Sequence, residues 1–144
     1  MKIDPLRESL IDAVSTIEEE SGDVHWSREQ FLRELQQEFI RFFVALESNE
    51  VLGYGGYRKA GTEAQITNVV VRKASQCQGV GRRLLEFLLD CARSESCSTC
   101  TLEVRESNAH AQALYQKIGF EVQGIRKKVY QNPEEAAVLM EKKL

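Results

Sequence analysis

Apolar side chains recur every three or four residues near the start of the chain, at Leu6, Leu10, Val14 and Ile17. This spacing places them on one side of a helix. Asp4-Pro5 supplies a cap and a proline suited to the first helical position, and Gly22 is a natural end, so the sequence predicts a first helix between them. Ser27-Arg28-Glu29-Gln30 has the form of a capping box and predicts a second, short helix.

The pattern then changes to short runs rich in β-branched and aromatic residues. Phe39 to Glu47 and Val51 to Lys59 lie on either side of an Asn49-Glu50 turn signal, which predicts an antiparallel hairpin. A third strand is predicted from Ala64 to Arg72. Its run of three valines, Val69-Val70-Val71, indicates burial on both faces.

The second half of the chain alternates helical and strand patterns. An amphipathic helix opens at Gly79, and from Thr99 to Val104 apolar and polar side chains alternate as in a strand. Ser107-Asn108 caps a further helix that ends at Gly119. Two strands complete the chain, from Phe120 to Tyr130 and from Ala136 to Lys142. This order predicts an α/β fold with a mixed, mostly antiparallel sheet of six to seven strands flanked by about four helices.

The composition is that of an ordinary folded protein. Hydrophobic residues make up 42% and charged residues 28% of the 144, a length that predicts a single domain over residues 1–144. Nineteen Lys and Arg against 22 Asp and Glu give a net charge of -3, which argues against direct nucleic acid binding. No apolar run approaches the roughly 20 residues of a membrane span, and no signal peptide pattern opens the sequence. We therefore expect a cytoplasmic monomer that binds no membrane.

Four cysteines lie in the second half, at Cys77, Cys91, Cys97 and Cys100. Cys97 and Cys100 have the C-x-x-C spacing of a zinc or redox site, but zinc needs two further ligands, and neither His25 nor His110 has a paired partner. We therefore expect free thiols that fill space in the core, and no metal.

The most specific local signal is the stretch Gln76-Cys77-Gln78-Gly79-Val80-Gly81-Arg82-Arg83. Two glycines at a helix start let a ligand approach the backbone, and the first helical N–H groups together with the helix dipole favour an anion. Arg82 and Arg83 can add charge-assisted hydrogen bonds to phosphate. The spacing matches neither G-x-G-x-x-G nor a P-loop, which disfavours a dinucleotide or a nucleoside triphosphate. Taken alone, this turn is also explained by tight packing.

Further motifs lie downstream of this turn. Leu102-Glu103-Val104-Arg105-x-Ser107-Asn108 precedes Ala111, and Leu114-Tyr115 precedes Gly119-Phe120. Together with Gln76-x-x-Gly79-x-Gly81, these residues strongly resemble the GCN5-related N-acetyltransferase (GNAT) superfamily. Asn68-Val69-Val70-Val71 and Gly124-Ile125-Arg126-Lys127 make the ribosomal-protein-alanine N-acetyltransferases the most similar subfamily.

The resemblance implies acetyl-CoA as the acetyl donor. Its pyrophosphate would lie on the turn, its pantetheine arm would pair with the valine run like an added strand, and Asn108 would bond it from the next helix. In this family the last strand splays from its neighbour, which would place the thioester between Val70 and Val104. The implied donor-binding residues are Val69, Val70, Val71, Gln76, Cys77, Gln78, Gly79, Val80, Gly81, Arg82 and Asn108.

The resemblance also implies catalytic roles for Glu103 as base and Tyr115 as acid. Read from the residues alone, Glu103 is a solvated carboxylate on a strand and Tyr115 a half-buried core tyrosine. Trp26, where relatives carry Pro-Trp-Ser, and Tyr130, where many carry a Tyr-Tyr pair, are the implied acceptor-binding residues. The backbone N–H of one of the three valines would stabilise the oxyanion.

Three functions fit these residues. Freeing an α-amino group of its proton at pH 7 costs roughly 1 kcal/mol, whereas a lysine side chain costs nearly 5 kcal/mol, which favours a protein N-terminus as acceptor. A ribosomal protein beginning with a small residue such as alanine is then the expected substrate. The alternatives are an enzyme that acetylates a small-molecule amine or a lysine side chain, and a non-catalytic acyl-CoA-binding regulatory module.

Overall fold

The computed structural model describes residues 1–23 and 25–144 and is built around one mixed sheet. Its seven strands are β1 (Lys2–Pro5), β2 (Ile40–Glu47), β3 (Glu50–Ala60), β4 (Glu63–Val71), β5 (Thr99–Arg105), β6 (Glu121–Tyr130) and β7 (Glu135–Lys143). The α-helices are α1 (Ile11–Ser21), α2 (Arg28–Leu35), α3 (Val80–Ser94) and α4 (Ala109–Ile118). Across the sheet the order is β1-β2-β3-β4-β5-β7-β6, and every neighbouring pair is antiparallel except β4 and β5. The predicted fold class is confirmed.

The helix ends follow the local signals in the sequence. Ser27 Oγ accepts a hydrogen bond from the Gln30 N–H at 3.3 Å, and Gln30 Oε1 accepts one from the Ser27 N–H at 2.8 Å, so the predicted capping box begins α2. Helix α3 begins after Gly79, whose φ of 84° is left-handed. Asn108 Oδ1 accepts from the Ala111 N–H at 3.0 Å at the start of α4. Each of these predicted boundaries is confirmed.

The start of the chain differs from the prediction. Asp4-Pro5 was expected to begin a helix, but Lys2–Pro5 is an edge strand that pairs antiparallel with β2, with Pro5 opposite Phe43. The first helical turn comes later, at Glu8–Leu10, and α1 follows from Ile11. Proline is tolerated on an edge strand because its missing N–H costs no ladder bond there. A four-residue strand is also too short to show a period in the sequence.

Helices cover both faces of the sheet. On one face α1 and α2 pack onto β2 and β3 through a cluster that includes Ile11, Val14, Ile17, Phe31, Phe42 and Tyr54. On the other, α3 packs through a cluster that includes Leu85, Leu88, Leu89, Leu102, Phe120 and Met140. Val69 and Val71 face the α3 side and Val70 the α1 side, but all three are half-buried rather than fully buried. Both faces of the valine run are therefore covered, as predicted, but the cover is incomplete because one edge of β4 is open.

No helix within the described part of the chain, which leaves out residue 24, combines the length and the apolar character needed to cross a membrane.

Candidate active site

The one parallel strand pair of the sheet is short. β4 and β5 pair only where Glu63–Gln65 lies beside Thr99–Thr101. Beyond this point β4 stays paired with β3 as far as Val71, and β5 stays paired with β7 as far as Arg105. The opening in the sheet therefore lies between β4 and β5. The expectation that the last strand splays away is wrong, since β7 is bonded on both sides.

The open edge of β4 presents the backbone of two valines. The Arg72 N–H donates to the Leu52 carbonyl at 2.9 Å, so Arg72 faces β3. Because bonding residues alternate in an antiparallel ladder, Val70 also faces β3, while the N–H and C=O groups of Val69 and Val71 face the opening. One of these groups already has a partner, since Gln76 Nε2 donates to the Val71 carbonyl at 3.0 Å. The remaining groups are free to bond a ligand.

A groove of about 730 Å³ runs from this edge to the start of α3. Gly79 and Gly81 line it, and a Cβ added to Gly79 would meet nothing within 4 Å. At Gly81 a Cβ would meet only the side chains of Val71, at 3.5 Å, and Val69, at 4.0 Å, so both glycines leave the backbone accessible from the groove. The first N–H groups of α3 point out of the helix here and favour an anion. Arg82 lines the groove as well, and its Nε donates to Glu86 Oε1 at 2.7 Å.

The groove brings together ten of the eleven sequence-predicted donor-binding residues. They are Val69, Val70, Val71, Gln76, Cys77, Gly79, Val80, Gly81, Arg82 and Asn108. Gln78 is the eleventh and is not among the lining residues. Their predicted contacts with a donor stay predictions, but their shared position is what a single elongated ligand would require.

A second, smaller cavity of about 170 Å³ lies between the separated parts of β4 and β5. Its lining includes Val70 and Val104 from the two strands and three carboxylate side chains, Glu18, Asp23 and Glu103. Tyr115 and Asn108 line both this cavity and the groove, so the two spaces meet beside them. A ligand in the groove and a ligand in the smaller cavity would therefore be in contact.

The environment of the Tyr115 phenol favours its protonated form. Burial, and secondly the negative charge of Asp23, raise the pKa of Tyr115 to about 12. The ring packs edge-on against Phe120 with centroids 6.0 Å apart, which fixes its direction. At neutral pH this side chain is a neutral O–H donor at the junction of the two spaces.

Glu103 lies on the polar face of β5 at the edge of the smaller cavity. Arg126 of β6 pairs with it, with Nη2 at 3.0 Å from Oε1. The Arg126 side chain is 62% exposed and that of Glu103 is 34% exposed, so water screens the pair and it contributes little stability. Sequence reasoning missed this partner, because β6 and β5 are not neighbours and only the sheet order brings them close.

The two predicted acceptor-binding residues have different surroundings. Tyr130 lines the smaller cavity, and burial is the main cause that raises its pKa to about 12. Trp26 is not among the lining residues of either space. Its ring packs edge-on against Phe31 at 5.3 Å and Phe42 at 5.8 Å. These contacts anchor the segment before α2, and acceptor binding by Trp26 stays a prediction.

Glu18 is a buried charged residue of α1 that the motifs in the sequence do not include. It is fully buried and receives hydrogen bonds from the Tyr54 hydroxyl, from Asn68 Nδ2 at 3.4 Å and from the His25 N–H at 3.1 Å. Burial and the Glu18 charge raise the pKa of Tyr54 well above its usual range. The sequence did hold a signal, since Glu18 follows Val14 by four residues on the apolar face of α1.

Arg105 ties together three segments around the smaller cavity. Its Nε donates to Asp23 Oδ1 at 2.7 Å, before α2, and its Nη1 donates to Glu135 Oε1 at 3.2 Å, on β7. Its Nη2 donates to the Gln131 carbonyl at 3.1 Å, and the guanidinium lies 4.6 Å from the Tyr130 ring centre. The hydrogen bond to Asp23 is the main cause that raises the pKa of Arg105. We call this set of contacts the Arg105 clamp.

The sequence model of one family covers most of the chain. Residues 8–120 match the model described as the acetyltransferase (GNAT) family. The chain belongs to this acetyltransferase family. It is an acyltransferase with a GNAT fold, as the motifs at Gln76–Arg82 and Leu102–Tyr115 predicted.

Two relatives and one solved structure are similar to this acetyltransferase over most of its length. The N-alpha-acetyltransferase RimI of Mycobacterium tuberculosis is 36% identical over 113 residues, 76% of this chain and 70% of the relative. The ribosomal protein bS18-alanine N-acetyltransferase of Escherichia coli (strain K12) is 31% identical over 140 residues, 96% of this chain and 94% of the relative. The crystal structure of the ribosomal-protein-S18-alanine N-acetyltransferase from Escherichia coli gives a TM-score of 0.89 at 31% identity, over 99% of this chain and 92% of that chain.

The remaining candidate chemistry concerns metals and thiols. In residues 1–23 and 25–144 of the acetyltransferase, no group of three or more His, Cys, Asp or Glu side chains could hold a metal ion. All four cysteines are free thiols, and Cys97 and Cys100 are buried in the core.

We expect Arg105→Gln to loosen the wall of the smaller cavity. The variant loses the guanidinium that links Asp23, the β6–β7 turn and β7, and leaves the Asp23 and Glu135 carboxylates without this partner. Amide hydrogen exchange over residues 131–136 should accelerate. Arg41→Gln is the matched control, because Arg41 pairs with Glu95 at 3.0 Å away from both spaces. Exchange over residues 131–136 that is equal in Arg105→Gln and the wild type would contradict a clamp.

Proposed function

We propose that this acetyltransferase uses acetyl-CoA to acetylate the N-terminal α-amino group of a protein, and that the protein is a ribosomal protein beginning with a small residue such as alanine. The observation that carries the proposal is the junction of an open strand edge with a small, carboxylate-lined cavity at Tyr115. The names of the relatives, which act on alanine of ribosomal protein bS18, support the same acceptor. A ribosomal substrate would place the enzyme in the cytoplasm.

The groove fits the donor that the family uses. Acetyl-CoA supplies an activated acetyl group as a thioester, on an arm that carries amides and ends in phosphates. The free backbone groups of Val69 and Val71 can bond the amides, and the start of α3 with Gly79 and Gly81 can bond the pyrophosphate. Arg82 adds positive charge there, although Glu86 competes for it.

The smaller cavity fits a small first residue. Its volume of about 170 Å³ lies below the 300 Å³ or more typical of sites for larger ligands. Three carboxylates and one guanidinium, that of Arg105, line the cavity. The excess of negative charge favours a cationic end group over an anion or a neutral one. An α-ammonium group at the end of a peptide has this charge and this size.

Glu103 is the proposed base for the acceptor. The carboxylate accepts a proton from the α-ammonium group, and the neutral amine then attacks the carbonyl carbon of the thioester. Freeing an α-amino group costs only roughly 1 kcal/mol at pH 7, so one carboxylate acting directly or through water is sufficient. Arg126 must move away from Glu103 when the acceptor cation binds, and its exposed side chain is able to do so.

Tyr115 is the proposed acid for the leaving group. As the new amide bond forms and the carbon–sulfur bond breaks, the phenol donates its proton to the CoA sulfur. The raised pKa of Tyr115, about 12, keeps the proton on the phenol until the leaving thiolate forms, and it also makes the phenol a weaker acid. The N–H of Val69 or Val71, rather than that of Val70, is the proposed oxyanion donor, because these two face the opening.

The acceptor class is tested by release of free thiol from acetyl-CoA over a panel of amines. We expect an alanine-starting peptide to exceed an N-terminally blocked lysine peptide and a polyamine by at least about tenfold in kcat/KM at pH 7. Mass spectrometry should locate the acetyl group on the α-nitrogen. Preference for the polyamine or the lysine side chain would point instead to the alternative acceptors.

The catalytic roles predict different pH responses for two variants. Glu103→Gln and Tyr115→Phe should each lower kcat by roughly 10²- to 10⁴-fold with acetyl-CoA affinity little changed. The Glu103→Gln defect should be largest at low pH, where the acceptor is fully protonated, and should shrink as pH rises past about 8 and the α-amine loses its proton unaided. Tyr115→Phe should show no such recovery, since the leaving thiolate still lacks its acid.

These responses are measured as kcat/KM against pH on an alanine-starting peptide. Glu121→Gln, an exposed glutamate on β6, is the control and should behave as the wild type. A defect in Glu103→Gln that does not change with pH, or near-normal turnover in Tyr115→Phe, is incompatible with the roles assigned here.

A further inference from the structure

Buried oxygens without a hydrogen-bond partner concentrate at the smaller cavity. In the described part of the chain, four buried side-chain polar atoms lack a partner, and three of them belong to residues that line this cavity. These three are Ser21 Oγ, Thr67 Oγ1 and Asn68 Oδ1. Folded proteins pair nearly all buried polar groups, because an unpaired one loses its hydration without compensation. Three unpaired oxygens around one space therefore point to a ligand with hydrogen-bond donors.

Two of these oxygens belong to residues at a bulge in β4. Asn68 lies opposite Gly56 of β3 and Ile66 lies opposite Tyr57, so Thr67 is an extra residue with no partner on β3. A bulge of this kind turns side chains away from their regular alternation and is common beside functional sites. Thr67 and Asn68 lie at this bulge, within the run from Ile66 to Val70 that lines the cavity.

The surroundings of Asn68 decide which of its amide atoms is unpaired. The residue is 5% exposed, and its Nδ2 donates to the Tyr54 hydroxyl at 3.2 Å and to Glu18 Oε1 at 3.4 Å. These two acceptors require the amide nitrogen on that side, so the carbonyl oxygen is the unpaired atom. A carbonyl oxygen can only accept, and the bond to the Glu18 carboxylate polarises it further. Its ligand must therefore bring an N–H or O–H group.

We propose that Ser21 Oγ, Thr67 Oγ1 and Asn68 Oδ1 form a binding site for the primary amine of the acceptor. This inference rests on the proposed function and adds the groups that hold the reacting nitrogen. An α-ammonium group has three N–H donors, which match three oxygens. Glu103 takes the proton of one of these N–H groups and leaves the lone pair in its place. The amine then turns about its C–N bond, so that the lone pair faces the thioester and the two remaining N–H groups bond to the oxygens again. The site selects primary amines, because an N-methylated amine brings one donor fewer.

Thr67→Val is the decisive variant, since it keeps the shape of the side chain and removes only the hydroxyl. We expect the KM for an alanine-starting peptide to rise about tenfold, with kcat changed less and the Kd of acetyl-CoA unchanged. Thr67→Ser retains the oxygen and should stay close to the wild type. Thr101→Val is the matched control on β5, because the Thr101 hydroxyl already donates to Glu63 at 2.9 Å.

The stability of the free enzyme distinguishes a hydroxyl that binds the ligand from one that only supports the structure. Removing a buried, unpaired hydroxyl should raise the urea midpoint of the free enzyme, whereas Thr101→Val, which breaks a hydrogen bond, should lower it. Thr67→Val should therefore be more stable and bind peptide less tightly. The wild type should also prefer an alanine-starting peptide to its N-methylalanine counterpart, and this preference should shrink in Thr67→Val.

Calorimetry with the same peptide in the presence of CoA separates this inference from the proposed function. If the wild type binds the peptide more tightly than Thr67→Val does but transfers no acetyl group, the proposed function fails and the amine site stands. If both bind the peptide equally, the amine site is overturned, whatever the turnover. If the wild type does not bind the peptide, both are overturned.

Discussion

The parting of β4 and β5 is the constraint on which the site depends. Two parallel strands that remained paired would fill the middle of the sheet with ladder bonds. Here pairing ends at Gln65 and Thr101, while each strand stays bonded to its outer neighbour. The two strands are therefore held in place on both sides of a gap. Within this gap, one backbone edge of β4 has no neighbouring strand. An edge of this kind suits a ligand rich in amides, because the ligand completes the hydrogen bonding that β5 does not supply.

The groups around the gap divide into two sets that meet at Tyr115. On one side, the free backbone of β4 and the start of α3 provide N–H groups and Arg82. On the other, the carboxylates of Glu18, Asp23 and Glu103 provide negative charge. This separation matches a reaction that joins an anionic donor to a cationic acceptor. The Arg105 clamp and the hydrogen bonds to Glu18 then hold the segments around the smaller cavity in place. Such support from neighbouring groups is what holds the side chains of a site in a fixed geometry.

The sequence predicted most of the fold and much of the donor side, because these depend on local signals. Gly79, the Ser27 capping box and the Asn108 cap each act within a few residues, and the family motifs are contiguous. The acceptor side depends on contacts between distant segments, and there the predictions were incomplete. Arg105 and Asp23 are 82 positions apart, and Arg126 and Glu103 are 23 apart. Trp26 was assigned from a neighbouring motif, which does not show that its ring packs against Phe31 and Phe42. The strand β1 was missed because four residues carry no measurable period.

The most direct test of the open edge is residue-resolved amide hydrogen exchange with and without saturating acetyl-CoA. The N–H groups of Val69 and Val71 face the gap, whereas that of Val70 is bonded to β3, so Val70 serves as an internal control within the same strand. If the donor completes the strand edge, exchange at Val69 or Val71 should slow by at least about tenfold more than at Val70 when acetyl-CoA binds. Equal changes at all three valines, with binding shown independently by calorimetry, would contradict pairing of the donor with β4.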